Sequence, residues 1–235
     1  MLKVYVIFTL VLPALVSSSV ESNGRVMDHT TFISKLIQET VYEWEQRGFS
    51  ILTIDEFSQA INVTMYGWQV VGNVTYTNAF LNSIQKLEIR NMIQHVSRWV
   101  VDGERVPMAS VRGTLFLFDS SYGYDVLFDE LDVGLHRFTG SFGYTRTEIV
   151  FEIQKNLITN KLSASATLIN LSGGYARMVY LPANNITEVL SREFSAITAF
   201  ESIRNWARNI LGPIMLEIAE TKVEFPKICF SNSVC

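Results

Sequence analysis

The feature that most constrains the fold is a long stretch in which large apolar side chains alternate with other residues. Residues 111–135 read VRGTLFLFDSSYGYDVLFDELDVGL. Alternation with a period of two predicts β-strands with one buried face, and the segment DSSYG predicts a turn between two such strands. The apolar face of these strands comprises Leu115, Leu117, Leu127, Leu131, Val133 and Leu135.

Six large apolar side chains on one face cannot be left in water without a large loss of stability. Burial of each contributes about 2 kcal/mol, so exposure of all six would forgo roughly 12 kcal/mol, comparable to the net stability of a whole domain. Another long apolar element of the chain must therefore cover this face.

Further strand patterns occur on both sides of this stretch, from about Trp68 to Tyr180. The turn signals between them, VDGE, DSSYG, TGSFG, KNLITNK and LSGG, are short. Because successive strands with short connections pair as neighbours, the pattern predicts an antiparallel meander. The predicted strands are residues 67–80, 86–101, 110–119, 124–138, 145–154, 161–170 and 176–181.

Two segments carry apolar residues at helical spacing. Asp28–Arg47 forms an amphipathic pattern, and a longer pattern runs from about Ile186 to Glu220, with a kink expected at Gly212-Pro213. The longer helix would span about 50 Å, which matches strands of about 15 residues. We therefore predict an α+β fold in which a long curved antiparallel sheet is wrapped around a long C-terminal helix, with a shorter N-terminal amphipathic helix as a second cover.

The N-terminal segment predicts export. Residues 1–19, MLKVYVIFTLVLPALVSSS, combine one lysine, an apolar stretch and small residues, as in a cleaved secretory signal peptide. The apolar stretch of about 13 residues is shorter than the roughly 20 that a membrane span needs. We expect a secreted, extracellular chain without a transmembrane segment in its mature form.

Sequons and cysteines agree with an oxidising, secretory environment. The two cysteines, Cys229 and Cys235, lie in the last seven residues, where they form either a small loop or a bond to another chain. A loop in the tail would stabilise little beyond the tail, so the fold must rest on its hydrophobic core. N-glycosylation is predicted at Asn62, Asn73, Asn170 and Asn185.

Most classes of enzyme and cofactor site have no support in the sequence. His29, His95 and His136 stand far apart, and the acidic residues between Asp119 and Asp132 lack the spacing of a calcium loop. No nucleophile elbow and no phosphate-binding or dinucleotide-binding glycine motif is present. Removal of Lys3 with the signal changes the net charge from −4 to −5. We therefore expect no catalytic residues, metal, cofactor or nucleic-acid partner.

The order of elements resembles that of the tubular lipid-binding (TULIP) superfamily. It is most similar to the single-domain branch that includes the group 7 dust-mite allergens and the takeout and juvenile-hormone-binding proteins. The stretches that carry the resemblance are EWEQRGFS, GNVTYTNAFLNSI, SVRGTLFLFDSSYGYDVLFDEL and RNILGPIMLEIAE. The resemblance implies a single lipid-binding domain over residues 28–221 and a tail over 222–235. The takeout branch usually has an N-terminal disulfide, whereas this chain has no cysteine before position 229, which points away from hormone-carrier specificity.

Two functions follow from a long apolar sheet face under a helix. The first is a non-enzymatic carrier or sensor of a hydrophobic small molecule or lipid, which the resemblance also implies. The second is an extracellular interaction module with a solid core that binds a protein, a microbial surface component or a second copy of itself. The candidate ligand-binding residues are Leu115, Leu117, Leu127, Leu131, Leu135, Phe151, Phe194, Ile197 and Phe200.

Overall fold

The computed structural model describes residues 24–47, 56–65, 67–83, 86–101, 103–174 and 177–230. Residues 1–19, with the predicted signal peptide, and Cys235 lie outside the described residues. A π-helical turn, Ala207–Leu211, joins the last two helices. In chain order the other elements are β1 (Gly24–Val26), α1 (His29–Gln46), β2 (Phe57–Met65), β3 (Trp68–Ser83), β4 (Lys86–Val101), β5 (Glu104–Glu130), β6 (Gly134–Asn156), β7 (Leu162–Ser172), β8 (Val179–Leu181), α2 (Asn185–Glu193), α3 (Ala196–Trp206), α4 (Gly212–Thr221) and β9 (Ile228–Phe230).

Seven of these strands form one antiparallel sheet, whereas β1 and β9 pair with each other in a separate two-stranded sheet. β2 pairs with β3, β5 with β6, and β6 with β7 near one end and with β8 near the other. β3 and β4 lie one after the other along the same edge of β5. The predicted α+β class, with a large antiparallel sheet and a C-terminal helix, is confirmed.

The two central strands are longer than the sequence predicted. The segments DSSYG and TGSFG lie inside β5 and β6, so the prediction of turns there is wrong. The turn between these strands is residues 131–133, which the sequence pattern assigned to a strand. β5 and β6 pair without a register shift from Met108–Asn156 to Glu130–Gly134. This continuous ladder satisfies the backbone hydrogen-bonding groups along both strands, which outweighs the local turn preference of Ser and Gly.

Asp119 changes the face that β5 presents to the core. Its φ is 49°, in the left-handed region that Asp tolerates better than most residues. One residue in this conformation interrupts the alternation of the strand. Odd-numbered residues therefore face the core before Asp119, and even-numbered residues face it afterwards. The buried residues of this face are Ala109, Val111, Leu115 and Leu117 before Asp119, and Ser120, Tyr122, Tyr124, Val126 and Phe128 after it.

The predicted apolar face is therefore wrong in its second half. Leu131, Val133 and Leu135 are 63%, 67% and 55% exposed, and Leu127 is half-buried. The first two lie in the turn between β5 and β6. Leu135 lies on the outer face because the inner face of this part of β6 is formed by even-numbered residues such as Phe138.

The N-terminal helix is confirmed and packs on the core. α1 begins one residue after Asp28 and ends at Gln46, and it contacts α4 and β4. The side chains that α1 buries recur at three- and four-residue spacing, as expected for one helix face: Phe32, Ile33, Leu36, Ile37, Thr40 and Trp44.

The C-terminal helical region is divided, so the prediction of one long helix over residues 186–220 is wrong in detail. α2 ends at Glu193, and the Ser195 side chain caps a new helix by accepting a hydrogen bond from the Thr198 N–H at 3.3 Å. From Ala196 to Thr221 the backbone is helical throughout, and its middle is the π-helical turn.

Pro213 explains the π-helical turn that precedes it. Proline has no N–H to donate, and in a regular helix its ring collides with the carbonyl four residues earlier, here that of Asn209. In the wider turn, the Gly212 N–H donates to the Ala207 carbonyl, five residues back. The expected kink at Gly212-Pro213 is thus accommodated as a change of helix type.

Candidate functional site

A group of aromatic side chains lies on the inner face of one half of the sheet. We call its five tyrosines the tyrosine cluster: Tyr76, Tyr122, Tyr124, Tyr144 and Tyr180. They come from β3, β5, β6 and β8. The left-handed conformation of Asp119 is the reason why Tyr122 and Tyr124 of β5 face inward. Phenylalanines that surround the cluster are Phe57, Phe138, Phe142 and Phe194.

Ring contacts hold the cluster together. The ring of Tyr124 lies 6.0 Å from Tyr76, 5.9 Å from Phe142 and 5.5 Å from Phe57, measured between centroids. The ring of Phe194 lies 5.6 Å from Tyr76 and 5.2 Å from Phe142. Such pairs contribute about 0.5–1.5 kcal/mol each beyond the burial of their area. The cluster is therefore a packed unit that joins the neighbouring strands β3, β5 and β6 to the end of α2.

Most of its hydroxyl groups have partners inside the protein. The hydroxyls of Tyr76 and Tyr180 are hydrogen-bonded at 2.9 Å. Tyr122 donates to Thr147 Oγ1 at 3.1 Å, and Thr147 Oγ1 also lies 2.8 Å from Ser120 Oγ. These contacts satisfy polar atoms that would otherwise cost free energy in an apolar interior.

Tyr124 differs from these three tyrosines. Its side chain is 1% exposed, and its hydroxyl has no hydrogen-bond partner among the described residues. A buried hydroxyl without a partner costs about 1–3 kcal/mol. This cost makes the Tyr124 hydroxyl the atom in the cluster at which a bound molecule would gain most from a hydrogen bond.

Burial holds the tyrosines in their neutral form. It raises the pKa of Tyr76 and that of Tyr144 to about 12. Burial also raises the pKa of Tyr122, Tyr124 and Tyr180, because a phenolate loses its hydration in this interior. At neutral pH the cluster thus presents protonated hydroxyls, each of which can donate or accept a hydrogen bond.

The chain between α2 and α3 closes one side of the cluster. We call Phe194 and Ser195 the α2–α3 junction; Phe194 is half-buried, with its ring on Tyr76 and Phe142. Gln59 of β2 fixes the junction from the other side. Its amide nitrogen donates to the Glu193 carbonyl, and its Oε1 accepts from the Ser195 N–H at 3.2 Å.

A shallow groove runs to the cluster from the surface near Asp119. It has a volume of about 320 Å³, and its lining includes Ser120, Phe142, Tyr144 and Arg177. Arg177 is exposed and lies 3.8 Å from Glu188. The groove therefore brings solvent close to the hydroxyl groups of Ser120 and Tyr144.

A second buried polar atom without a partner lies in the other half of the molecule. Trp206, at the end of α3, is 4% exposed, and its Nε1 has no hydrogen-bond partner among the described residues. Its ring lies 5.2 Å from that of Trp44 in α1.

The structure separates the ligand-binding residues that the sequence predicted. Leu115, Leu117 and Phe151 are buried together on β5 and β6, whereas Phe194 belongs to the tyrosine cluster. Phe200 and Leu127 are half-buried.

Ile197 is 79% exposed, and Leu131 and Leu135 are exposed as described above. The expectation that these three lie in the interior is therefore wrong. Ile197 lies in the first turn of α3, where the break after α2 sets a new helix rotation.

Sequence reasoning missed the tyrosines as a candidate site. No local sequence pattern links Tyr122 and Tyr124 to Tyr76 or Tyr180. The available signal was the Tyr-x-Tyr spacing after Asp119, which places both rings on one face of a strand.

Three of the four sequon asparagines, Asn62, Asn73 and Asn185, are exposed, as glycosylation requires. Asn170 is half-buried and donates to Glu148 Oε1 at 3.0 Å. Glycosylation at all four stays a prediction.

The pairing of Cys229 with Cys235 also stays a prediction. Cys229 is half-buried in β9, whereas Cys235 lies outside the described residues.

Two negative findings concern metal binding and membrane insertion. Within the described ranges, no group of three or more His, Cys, Asp or Glu residues is arranged to hold a metal ion. No helix in the part of the chain that the structure describes is long and apolar enough to cross a membrane.

His136 is half-buried beside Phe128 and Phe138, with its Nε2 2.9 Å from Glu130 Oε2.

Comparisons with known proteins give similarity in structure but no match to a family model or a curated protein. No protein-family model matches the chain, and no curated protein matches it. Among solved structures, the chain is similar to lipopolysaccharide binding protein, with a TM-score of 0.41 and 9% sequence identity. The similarity covers 85% of this chain and 40% of that one, so this chain spans well under half of that protein's length.

Proposed function

We propose that this protein is a non-enzymatic carrier or sensor that holds a hydrophobic small molecule or lipid between the sheet and the C-terminal helices, against the tyrosine cluster. The observation that carries the proposal is the Tyr124 hydroxyl, which is buried among aromatic rings without a hydrogen-bond partner among the described residues. Binding sites for small molecules are mostly apolar and contain a few polar groups that orient the ligand. The cluster has this composition.

The α2–α3 junction supplies a route to this site. Phe194 covers Tyr76 and Phe142 from a half-buried position, and its backbone neighbours are held by one side chain, that of Gln59. Outward movement of the Phe194 ring would leave a space lined by Tyr76, Tyr124 and Phe142. The ligand would take the place of that ring and gain affinity from apolar burial, at roughly 25 cal/mol per Å².

The proposed setting is outside the cell. It is supported by the signal-like residues 1–19 and by the exposed sequons at Asn62, Asn73 and Asn185. Membership in the TULIP superfamily, which the order of elements suggests, would be consistent with the same setting and ligand class.

Extraction of bound ligand tests the proposal. The full chain would be produced in a eukaryotic secretory host, purified, extracted with organic solvent and analysed by mass spectrometry, and a fluorescent fatty probe would be titrated into the extracted protein. We expect a stoichiometric lipid in the extract and saturable probe binding that the lipid displaces. An empty extract together with no probe binding would contradict the proposal.

A second candidate function is favoured by the exposed turn between β5 and β6. Leu131 and Val133 in this turn, and Leu135 near the start of β6, are each more than half exposed. They lie next to a groove of about 790 Å³ that Val71 also lines. Exposed apolar side chains that lie together mark interaction surfaces more often than chance. We propose self-association through this turn as the alternative. Sedimentation of the wild type and of L131S/V133S would test it, because only an interface at this turn makes the variant more monomeric.

A further inference from the structure

We propose that the tyrosine cluster recognises an uncharged polar group on its ligand, such as a hydroxyl, ketone, ester or amide, and excludes ligands whose buried end is ionised. This inference rests on the proposed binding function and specifies the chemical class of the ligand. It concerns the polar end alone, because the apolar rings around the cluster would accept many hydrocarbon shapes.

The first argument is the position of the Tyr124 hydroxyl. The Tyr124 ring packs against the rings of Phe57, Tyr76 and Phe142, and its hydroxyl is buried with no described residue hydrogen-bonded to it. A hydroxyl both donates and accepts, so it can pair with the oxygen of a carbonyl or with an alcohol. Either pairing would remove the cost of an unsatisfied buried group.

The second argument is the absence of charge in the interior. Apart from tyrosine and tryptophan, the buried polar side chains of the described residues are Thr40, Ser110, Thr114, Ser120, Thr147 and Thr187. No Asp, Glu, Lys, Arg or His among the described residues is buried. A carboxylate or phosphate moved into this region would lose its hydration without gaining a counter-ion, which is far more costly than the burial of a neutral oxygen.

The protonation state of the cluster supports this selectivity. Because burial raises the pKa of Tyr76 to about 12 and that of Tyr124 further above its ordinary value, both phenols remain protonated at neutral pH. A protonated phenol donates to a carbonyl oxygen without creating a buried charge. The cluster therefore acts as a neutral hydrogen-bonding surface.

The cation Arg177 defines a competing arrangement. Arg177 lines the groove that also contains Ser120 and Tyr144, but its side chain is 58% exposed and already lies 3.8 Å from Glu188. A fatty acid whose carboxylate bound Arg177 would keep its charge in water, with only its hydrocarbon chain inside. In that arrangement the Tyr124 hydroxyl would gain nothing, so the two arrangements make different predictions for variants.

The test compares ligands of equal chain length that differ only in the polar end. Hexadecanol, methyl palmitate, palmitate and hexadecane would compete with N-phenyl-naphthylamine, a neutral fluorescent probe, for the full-length, lipid-extracted protein. We expect the alcohol and the ester to bind at least about tenfold more tightly than palmitate at neutral pH, because only palmitate carries a charge to the site. Equal or tighter binding of palmitate would overturn the inference.

Tyr124→Phe identifies the residue responsible. We expect it to weaken hexadecanol and methyl palmitate about fivefold or more and to leave hexadecane unchanged, since it removes one hydrogen bond and no apolar area. Tyr42→Phe, which alters an exposed tyrosine, is the matched control and should change nothing. Unfolding in urea separates binding from folding: Tyr124→Phe should be at least as stable as the wild type without ligand, because it removes an unpaired group.

The remaining outcomes are decisive as well. If Tyr124→Phe weakens all four compounds equally or none of them, the inference is wrong. If Arg177→Gln weakens palmitate while Tyr124→Phe has no effect, the ligand is held by its charge at the groove and the inference is also wrong. If neither the probe nor any of the four compounds binds, the proposed function fails together with the inference.

Discussion

The hydroxyl groups of Tyr76 and Tyr180 lie 2.9 Å apart in the interior, although 104 positions separate them in the chain. Tyr76 belongs to β3, and Tyr180 belongs to β8, the short strand that returns to β6 after the meander. Their contact connects the first half of the sheet to its last strand across the aromatic interior. The Tyr124 hydroxyl, by contrast, has no hydrogen-bond partner among the described residues.

We expect the two hydroxyls to be energetically coupled. Tyr180→Phe leaves the Tyr76 hydroxyl buried and unpaired, so it should lower the free energy of unfolding by about 1–3 kcal/mol. Tyr76→Phe should act in the same way, whereas the double variant should lose less than the sum of the two, because it leaves no orphan group. Urea unfolding of the four proteins measures the coupling, and strictly additive losses would show that the contact contributes nothing.

Stability should fall in alkaline solution because of the same residues. The pKa of Tyr76 is raised from 10.0 to about 12, so below pH 10 the folded and unfolded states are both protonated and the stabilisation is fully present. Above pH 10 the unfolded chain ionises first, and stability falls by about 1.4 kcal/mol per pH unit for each such tyrosine until pH approaches the folded pKa. Urea unfolding on both sides of pH 10 should show this loss, with a shallower slope in Tyr76→Phe. If the free energy of unfolding falls equally steeply with pH in Tyr76→Phe and in the wild type, ionisation of Tyr76 is not the cause of the loss.

The conformation of Asp119 should be sensitive to side-chain type. Its φ of 49° suits Asp, Asn and Gly, whereas a β-branched residue is strained there. We expect Asp119→Val to lower the free energy of unfolding by about 1–2 kcal/mol and Asp119→Gly to be close to neutral. Asp129→Val is the matched control, because Asp129 is an exposed residue of the same strand in the ordinary extended region. Similar losses in Asp119→Val and Asp129→Val would contradict this assignment.

The Gln59 side chain should control the mobility of the α2–α3 junction. Gln59→Leu removes the hydrogen bonds to the Glu193 carbonyl and the Ser195 N–H and keeps a side chain of similar size. We expect faster hydrogen exchange at Ser195 and faster association of an apolar probe, since Phe194 would move outward more often. Gln69→Leu, an exposed change on β3, should alter neither rate. Unchanged exchange at Ser195 in Gln59→Leu would show that the junction is held by other contacts.

Local patterns in the sequence predicted the elements better than the faces they present. β4 has the predicted bounds, residues 86–101, and α1 was placed to within one residue at each end. The periodicity of α1 is continuous, whereas β4 is placed by its content of β-branched and apolar residues despite an irregularity at Asn91. The inner face of β5 was misassigned after Asp119. One residue in the left-handed region changes the inward-facing side chains of the rest of the strand from odd-numbered to even-numbered residues. Strand β2 was not predicted at all.

The tyrosine cluster depends on topology and could not be derived from any local window. Tyr76, Tyr124 and Tyr180 meet only because β3, β5, β6 and β8 pair in that order. The end of α2 could not be recognised from the apolar pattern, because apolar residues continue on both sides of it. Ser195 is a preferred N-cap residue and is the available signal for the start of a new helix. The N-cap residue Ser195 thus indicates the break between α2 and α3 better than the apolar periodicity does.

The central claim is that the ligand lies inside, against the tyrosine cluster, and it is tested most directly by photo-crosslinking. A long-chain alcohol that carries a diazirine near its hydroxyl would be bound to the full-length protein, irradiated and located by peptide mass spectrometry. We expect labelled peptides to contain Tyr124, Phe142 or Phe194. Labelling confined to the exposed turn at Leu131 and Val133 would contradict the claim and favour a protein that binds its partners on the outside.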